Sequence, residues 1–364
     1  MLSDTNKPVR AMRLMFIHHS SGEAWLADWH GGLGVALRDS NYYVSDSNYG
    51  WGPDGIGDTT DIGYWWNWFR GPESLRYMEA VYAESGQNCE YSRGDTAPEG
   101  ENEIIMFKSC FPNSALKGDP GDPVPGIADN PLRGQEAGSE YHTVANAKGI
   151  YMDLLNYFGA MTNKLFVAVT APPLSDPAYA NNARAFNQWL VNEWLADYPF
   201  HNVFVWDFYN VLTSNGGTPE ANDLNLETGN HHRWWNGAAQ HKTDDGGNVS
   251  AYPSAPDNDH PNQAGDLKAT AEFVPLLNAA VHAWLVERAG APGFSAVYVG
   301  DQQVGLTITN LSVGITYVIQ RCPDLKAGTW NDAHTFVSQS AVTNWFEPLN
   351  PEWVGIFYRV KWGQ

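Results

Sequence analysis

Short apolar runs alternate with longer segments of helical periodicity over the first 290 residues. Apolar runs bounded by turn residues are typical of buried strands, and apolar positions spaced three and four apart are typical of amphipathic helices. The predicted strands are residues 14–17, 104–107, 165–170 and 203–208, and the predicted helices are residues 141–158, 180–195 and 267–287. Strands that alternate with helices predict an α/β fold with a parallel sheet covered on both faces.

The pattern changes after a Gly-Ala-Pro-Gly segment at residues 290–293. Beyond it, short β-rich runs are separated by turn residues, and no helical period is present. These runs lie at residues 296–299, 305–308, 316–320, 334–337 and 356–360. We therefore predict two domains, an α/β domain at residues 1–290 and an all-β module, a small sandwich, at residues 294–364.

An excess of acidic residues narrows the classes of partner. The chain has 41 Asp and Glu residues against 21 Lys and Arg residues, a formal net charge of −20. A surface of that sign repels nucleic-acid phosphates and anionic lipid head groups, so neither nucleic acid nor a membrane is an expected partner. No stretch approaches the roughly 20 uninterrupted apolar residues of a spanning helix. The oligomeric state stays open.

Serine, histidine and aspartate occur at the predicted edge of the sheet. Ser20 follows the first strand and enters a helix-like segment, so its hydroxyl would lie at the rim of the sheet. Asp257 lies three positions before His260 in a segment that opens the last helix. A carboxylate at that spacing can hold one imidazole nitrogen while the other faces a nucleophile. Each motif alone is also explained by helix capping or an Asx turn, and Ser21 would cap as well as Ser20.

Two further positions carry groups that suit a developing oxyanion. Gly57 lies in Gly-Ile-Gly-Asp-Thr-Thr, and a glycine lets a backbone N–H approach a ligand closely. Asn113 follows the second predicted strand, and its side-chain amide is a suitable hydrogen-bond donor. A simple turn explains either motif equally well.

Taken in order, these motifs resemble the four-block pattern of the SGNH (GDSL-like) serine hydrolase superfamily over residues 10–290. The last block, Asp257-x-x-His260-Pro-Asn-x-x-Gly, is similar nearly residue for residue, and Gly57-Asp-Thr is similar to the second block. The strand at residues 165–170, followed by Ala-Pro-Pro, also resembles a strand of that family.

The resemblance implies a flavodoxin-like three-layer α/β/α sandwich that hydrolyses acyl esters without a cofactor. Its catalytic residues would be Ser20, Asp257 and His260. Its oxyanion donors would be the backbone N–H groups of Ser20 and Gly57 and the side chain of Asn113.

Two blocks depart from the family pattern. His-His-Ser stands at residues 18–20 where the family usually has Gly-Asp-Ser, so Ser21 is kept as an alternative nucleophile. Cys-Phe-Pro-Asn stands at residues 110–113 where the family usually has Gly-x-Asn-Asp, which makes Asn113 the least supported site residue.

The segment between Gly57 and Asn113 is rich in aromatic residues. Trp65, Trp66 and Trp68 are predicted to shape the site as platforms for sugar rings, although packing in the core and loops is the more common role of such residues. The Gly-, Asp- and Pro-rich stretches 117–138 and 214–256 are predicted to be long loops that form lids or walls of the site. The five histidines His18, His19, His231, His232 and His241 match no zinc-binding spacing, so no metal is predicted.

The expected function is hydrolysis of an ester, with a carbohydrate acetyl ester of a polysaccharide or oligosaccharide as substrate. The β-rich module resembles accessory domains of secreted bacterial enzymes and would bind glycan or act as a spacer. A secreted or periplasmic location follows from that interpretation, whereas the N-terminal residues lack a signal sequence and keep a cytoplasmic location open. The alternatives are a glycoside hydrolase and a non-catalytic glycan-binding protein.

Overall fold

The computed structural model describes residues 4–213, 232–235, 238–241, 248–289, 291–300, 302–326, 328–350 and 355–363. The chain divides into two units, Ala11–Leu277 and Met1–Arg10 together with Asn278–Gln364. The predicted boundary at residue 290 differs from this division, which falls inside the last helix. Most of the predicted loop 214–256 lies outside the described residues.

The larger unit is built on a five-stranded parallel sheet. Its strands are β1 (Met12–Ile17), β2 (Tyr42–Asp46), β3 (Ile104–Lys108), β4 (Leu165–Val169) and β5 (Val203–Trp206). They lie in the order β2-β1-β3-β4-β5, which is the flavodoxin-like order. Every residue of the five strands is buried, as a parallel sheet covered on both faces requires.

Helices cover the sheet on both sides. They are α1 (Ser21–Leu26), α2 (Leu33–Asp39), α3 (Trp65–Phe69), α4 (Ser74–Ala83), α5 (Val144–Ala160), α6 (Ala180–Asn192), α7 (Phe208–Thr213) and α8 (Gln263–Ala289). Strand residues such as Met15 and Phe107 belong to a core that includes residues of α3 to α6. On the opposite side, Trp206 of β5 contacts Phe273 of α8, with 5.4 Å between ring centroids. The α/β core with a parallel sheet is thus confirmed.

Local signals explain where α5 begins. The side chain of Thr143 accepts a hydrogen bond from the backbone N–H of Asn146, so the helix begins at Val144 rather than at the predicted residue 141. In the part of the chain that the structure describes, four short strands lie between α7 and α8: β6 (His232–Trp235), β7 (Ala238–His241), β8 (Pro253–Ala255) and β9 (Asn258–Pro261). β8 and β9 pair in antiparallel fashion, so His260 lies on a strand rather than in the predicted loop.

Within its described residues, the smaller unit contains six antiparallel strands in two sheets. They are β10 (Gly293–Gly300), β11 (Gln303–Thr309), β12 (Thr316–Cys322), β13 (Asn331–Val337), β14 (Thr343–Pro348) and β15 (Phe357–Trp362). The sheets have the orders β10-β11-β14 and β13-β12-β15. Their central strands β11 and β12 bury Leu306, Ile308, Tyr317 and Ile319, so the predicted all-β module is confirmed.

Helix α8 combines length with an apolar composition. Within the described residues, its segment Gln263–Arg288 is the single helix long and apolar enough to cross a membrane. However, 78% of its most apolar window is buried inside the protein, as in the core helix of a globular fold.

Candidate active site

The turn after β1 holds Ser20 in an unusual backbone conformation. β1 lies between β2 and β3, where the strand order of the sheet reverses, and ligands of such sheets bind at the carboxyl ends of the strands at this point. Ser20 has φ 50° and ψ −106°, in a region that residues other than glycine rarely adopt. Such a conformation costs on the order of 1–3 kcal/mol and is concentrated at functional sites.

Ser20 and His260 meet at this edge although 240 positions separate them in the sequence. The hydroxyl oxygen of Ser20 is hydrogen-bonded to Nε2 of His260, and both side chains are partly exposed. The ring of Phe111 packs edge-on against the imidazole, with 4.9 Å between ring centroids. The predicted nucleophile and base are therefore within reach of each other.

The other imidazole nitrogen is paired with Asn258. Nδ1 of His260 lies 2.6 Å from Oδ1 of Asn258, which also accepts the backbone N–H of His260 at 3.1 Å. A carbonyl oxygen only accepts, so this contact places the ring proton on Nδ1 and leaves the lone pair of Nε2 facing the Ser20 hydroxyl.

Asp257 does not occupy the position that the sequence suggested. It is exposed in the turn between β8 and β9, and it makes no hydrogen bond to His260. Side chains alternate along a strand, so residues two apart share a face. Asn258 therefore lies on the face of His260, while Asp259 between them accepts the backbone N–H of Ser175 at 2.8 Å. The expectation of an Asp257–His260 contact is corrected because it assumed a loop where β9 forms.

The surroundings of His260 favour its neutral form. Partial burial lowers the pKa of His260 below the usual 6.5, and the nearby ammonium of Lys108 lowers it further, while Asp259 opposes the shift. A neutral imidazole can accept a proton, as a general base must.

The neighbouring Ser21 is in a different position. It has 0% exposure, and its hydroxyl accepts a hydrogen bond from Nζ of Lys108 at 2.7 Å. The Sγ atom of Cys110 lies 3.2 Å from the same oxygen. Of the two serines that the sequence left open, Ser20 is the one exposed at the imidazole.

The two other predicted oxyanion donors are engaged within the protein. The N–H of Gly57 donates to the carbonyl of Trp51 at 2.9 Å. The side-chain nitrogen of Asn113 donates to Oδ1 of Asp61 at 2.6 Å, and its Oδ1 accepts the N–H of Ile62 at 2.8 Å. In this arrangement neither group is free to bind a substrate oxygen, because each one is already hydrogen-bonded within the protein.

The predicted tryptophan platform is corrected for two of its three residues. Trp65 and Trp68 have 0% exposure and belong to the core, and their indole N–H groups donate to Ser109 and Thr59. A ring with no exposed surface cannot stack on a sugar. Trp66 is partly buried beneath the guanidinium of Arg133, which lies 5.1 Å from its ring.

A cavity of about 400 Å³ opens beside the Ser20–His260 pair. Its lining consists of Ser20, Glu23, Ala24, Ala27, Trp29, Glu90 and His260. Trp29 is 71% exposed and follows Ser20 by only nine positions. Trp29, Glu23 and Glu90 belong to no motif that predicted them as site residues, although an aromatic residue so close to a candidate nucleophile was a usable signal.

The histidines considered for a metal site are only partly described. His231 lies outside the described residues, and the side chains of His232 and His241 are not described either. His19 stacks on Tyr49, with 4.7 Å between ring centroids. Burial lowers the pKa of His19 to about 4, with Lys108 as a further cause.

Comparison with known proteins gives slight likenesses only. No protein-family model matches the chain, and no curated protein matches it. The solved structures that resemble it include a gut microbial diltiazem-metabolizing enzyme, with 9% identity and a TM-score of 0.34. That likeness covers 87% of this chain and 60% of the other.

A second structure is a carbohydrate esterase whose active site displays divergent catalytic and non-catalytic binding functions. Its identity is 12% and its TM-score 0.25, over 55% of this chain and 57% of the other. The chain thus spans about 60% of the length of these neighbours. Scores this low carry no argument about activity, and membership of the SGNH superfamily stays a prediction.

Proposed function

We propose that this protein is a serine esterase with Ser20 as its nucleophile. The proposal is carried by one observation, the hydrogen bond between the Ser20 hydroxyl and Nε2 of His260. Asn258 holds the opposite ring nitrogen, so the three residues form a Ser-His-Asn arrangement. Nucleophile, base and orienting group in hydrogen-bonded sequence are the usual signature of nucleophilic acyl transfer.

The reaction runs in two halves. His260 accepts the proton of Ser20 through Nε2 as the serine oxygen attacks the ester carbonyl. Throughout this step Nδ1–H stays hydrogen-bonded to the side-chain carbonyl oxygen of Asn258. The imidazolium then donates its proton to the leaving alcohol, which leaves an acyl group on Ser20. Water activated by His260 releases the acid and restores the serine.

The backbone N–H of Ser20 is the oxyanion donor that we retain. Gly57 and Asn113 would first have to release their acceptors in the protein. One well-placed donor is typically worth about 3 kcal/mol in the transition state. We therefore expect a slower esterase than one with three preorganised donors.

The cavity favours an uncharged alcohol rich in hydroxyl groups. Its volume of about 400 Å³ falls within the usual range of ligand pockets. Glu23 and Glu90 repel anionic substrates and accept hydrogen bonds from hydroxyl groups, and the exposed ring of Trp29 offers a face for a sugar. We propose a carbohydrate ester, with an acetyl group as the acyl part, as the substrate class. A secreted or periplasmic location belongs to the same proposal.

The two carboxylates of the cavity also support a second candidate. Glycoside hydrolases act through a pair of carboxylates that flank the scissile bond, and Glu23 and Glu90 line the same cavity. Ser20 and His260 have no part in that mechanism, which makes glycoside hydrolysis the weaker candidate.

A fluorophosphonate probe followed by peptide mapping tests the proposal directly. We expect one covalent adduct on Ser20 and release of acetate from an acetylated oligosaccharide without chain shortening. New reducing ends from the same substrate would favour the glycosidase. Saturable glycan binding with neither labelling nor product would mean a non-catalytic binding protein.

A further inference from the structure

Three side chains of types that can bind a metal ion converge near the Ser20 turn. His18 is the first residue after β1, Asp46 is the last residue of the neighbouring strand β2, and Cys89 follows α4. His18 and Asp46 both have 0% exposure, and Cys89 is partly exposed. The parallel pairing of β1 with β2 places the carboxyl ends of the two strands side by side, which brings His18 beside Asp46.

The separations of the three ligand atoms suit one metal ion. Nε2 of His18 and Sγ of Cys89 each lie 3.3 Å from Oδ2 of Asp46, and 4.0 Å separates Nε2 from Sγ. Around a tetrahedral zinc ion with usual bond lengths, neighbouring ligand atoms are roughly 3.3–3.6 Å apart. Only a small adjustment between Nε2 and Sγ is needed for all three to bind a common centre.

Outer contacts hold Asp46 in place. Its second oxygen, Oδ1, accepts the backbone N–H of Asn88 at 2.8 Å and the hydroxyl of Tyr91 at 2.9 Å. These contacts turn Oδ2 toward His18 and Cys89. Partners that orient a ligand through its other atom are typical of protein metal sites.

The ring of His18 is fixed by packing. The ring of Phe16 lies 4.5 Å away between centroids, and the backbone of Gly22 is so close that a Cβ there would come within 2.5 Å of His18. Nδ1 of His18 is fully buried without a hydrogen-bond partner, so packing rather than a second hydrogen bond orients the ring. The ring is thus held with Nε2 toward the cluster, so little entropy remains to be lost on binding.

Charge and ligand type indicate which ion would bind. One carboxylate, one thiolate and one neutral imidazole carry two negative charges, so a divalent ion makes the buried cluster neutral. Sulfur and nitrogen ligands select zinc-like ions over magnesium and calcium. Three protein ligands leave the fourth tetrahedral position to water or a small anion.

We propose that His18, Asp46 and Cys89 bind one zinc-like divalent ion, which fixes the turn that carries Ser20. His18 is two residues before Ser20, so a bond between Nε2 and the metal anchors the turn to β2. The absence of a zinc-like spacing in the sequence is explained by this geometry, because the three ligands come from three separate segments.

Cobalt(II) titration of the full chain, after removal of metals by a chelator, tests the site without an ester substrate. We expect one equivalent of Co²⁺ to produce the thiolate-to-cobalt charge-transfer band and the strong visible bands of tetrahedral cobalt. Cys89→Ser should abolish the charge-transfer band and weaken Co²⁺ binding by more than roughly 100-fold. That loss is larger than the loss expected when a residue that only hydrogen-bonds to a metal ligand is replaced. Cys110→Ser and Cys322→Ser are matched controls that should keep both.

The thermal midpoint provides an independent readout. Zn²⁺ should raise the midpoint of the original chain and of the two control variants, because it binds the folded state, and it should leave that of Cys89→Ser unchanged. A Cys89→Ser variant whose metal-free midpoint equals that of the original chain shows that the fold is intact. No charge-transfer band in the original chain, or one that persists in Cys89→Ser, would overturn the proposal. Because the test uses no catalysis, it stands or fails apart from the esterase proposal.

Discussion

The segment after β1 and the segment after β2 use their polar groups in opposite ways. After β1, Ser20 keeps a partly exposed hydroxyl in a rare backbone conformation and reaches His260 across the sheet edge. After β2, the amide of Gly57 and the indole N–H groups of Trp65 and Trp68 are all bound within the protein. The first segment exposes a reactive hydroxyl at the cavity. In the second segment these polar groups form hydrogen bonds within the protein and so stabilise the fold.

Motif order alone therefore distinguishes poorly between a site and its scaffold. Both segments match blocks of the same family pattern, yet one faces a cavity and the other faces the core. What separates them is the partner of each polar atom. Substitutions that remove one partner at a time test this distinction.

The largest effect is expected at the nucleophile. Ser20→Ala should reduce kcat for a short-chain aryl ester by roughly 10⁴- to 10⁶-fold, because it removes the hydroxyl that accepts the acyl group. Ser21→Ala is the matched control. It removes a buried partner of Lys108 and should cost about 1–3 kcal/mol of stability, with turnover of the folded protein close to the original. Equal turnover in the Ser20 variant would remove the nucleophile from the proposal.

The orienting residue gives the next largest effect. Asn258→Ala should lower kcat by roughly 10²- to 10⁴-fold, because it frees the imidazole to rotate and to adopt the wrong tautomer. Asp257→Ala, one position away and exposed, should change kcat by less than about threefold. Steady-state kinetics on both variants decides the point, and a larger loss in the Asp257 variant would restore the carboxylate as the orienting group.

Substitution of two tryptophans, one buried in the core and one exposed at the cavity, compares the two regions. Trp65→Ala should destabilise the protein by about 3–5 kcal/mol, as loss of a fully buried aromatic ring does. Trp29→Ala should leave the free energy of unfolding unchanged and raise KM for a sugar ester about five- to tenfold without lowering kcat. Denaturant unfolding and kinetics of both variants measure this contrast, and an unchanged KM in the Trp29 variant would exclude the ring from substrate binding.

Substitution of Asn113 tests whether its side chain acts as an oxyanion donor or only stabilises the fold. Asn113→Ala leaves the buried N–H of Ile62 without an acceptor, so we expect a loss of about 1–3 kcal/mol of stability. Turnover of the folded fraction should fall less than tenfold. A loss of roughly 10²- to 10³-fold at unchanged stability is the signature of an oxyanion donor and would show that the amide turns toward the substrate.

The elements with uniform apolar character could be predicted from the sequence. β1, β3, β4 and β5 each contain a continuous apolar run of at least four residues, and the helix at α6 follows a clear period. β2 escaped prediction because it ends in Ser45 and Asp46, which are polar yet have 0% exposure. The burial of Asp46 depends on partners such as Asn88 and Tyr91, and no local pattern reveals those.

The site itself could be predicted only in part, for a related reason. The approach of Ser20 to His260 follows from fold topology, because both lie at the same edge of a parallel sheet. The identity of the orienting residue depends on whether residues 258–260 form a strand or a loop, since that decides whether position −2 or −3 faces the ring. The hydrogen bonds that engage Gly57 and Asn113 come from distant residues, so their roles required the structure.

The smallest expected effect is a shift in the pH profile of kcat/KM. This profile reports on the groups that surround the His260 ring. The base must be unprotonated, so kcat/KM should fall as the pH drops through the pKa of His260, which burial and Lys108 hold below 6.5. Asn258→Asp places a carboxylate where the imidazolium forms, and an opposite charge favours the charged form. The pKa of His260 should then rise, and the acid limb of the profile should move upward by about one pH unit.

Asp257→Asn is the control. It removes an exposed charge without a contact to the ring and should leave the acid limb in place. If the limb moves in the Asp257 variant and not in the Asn258 variant, the ring faces the turn rather than the strand, and the Ser-His-Asn arrangement must be abandoned.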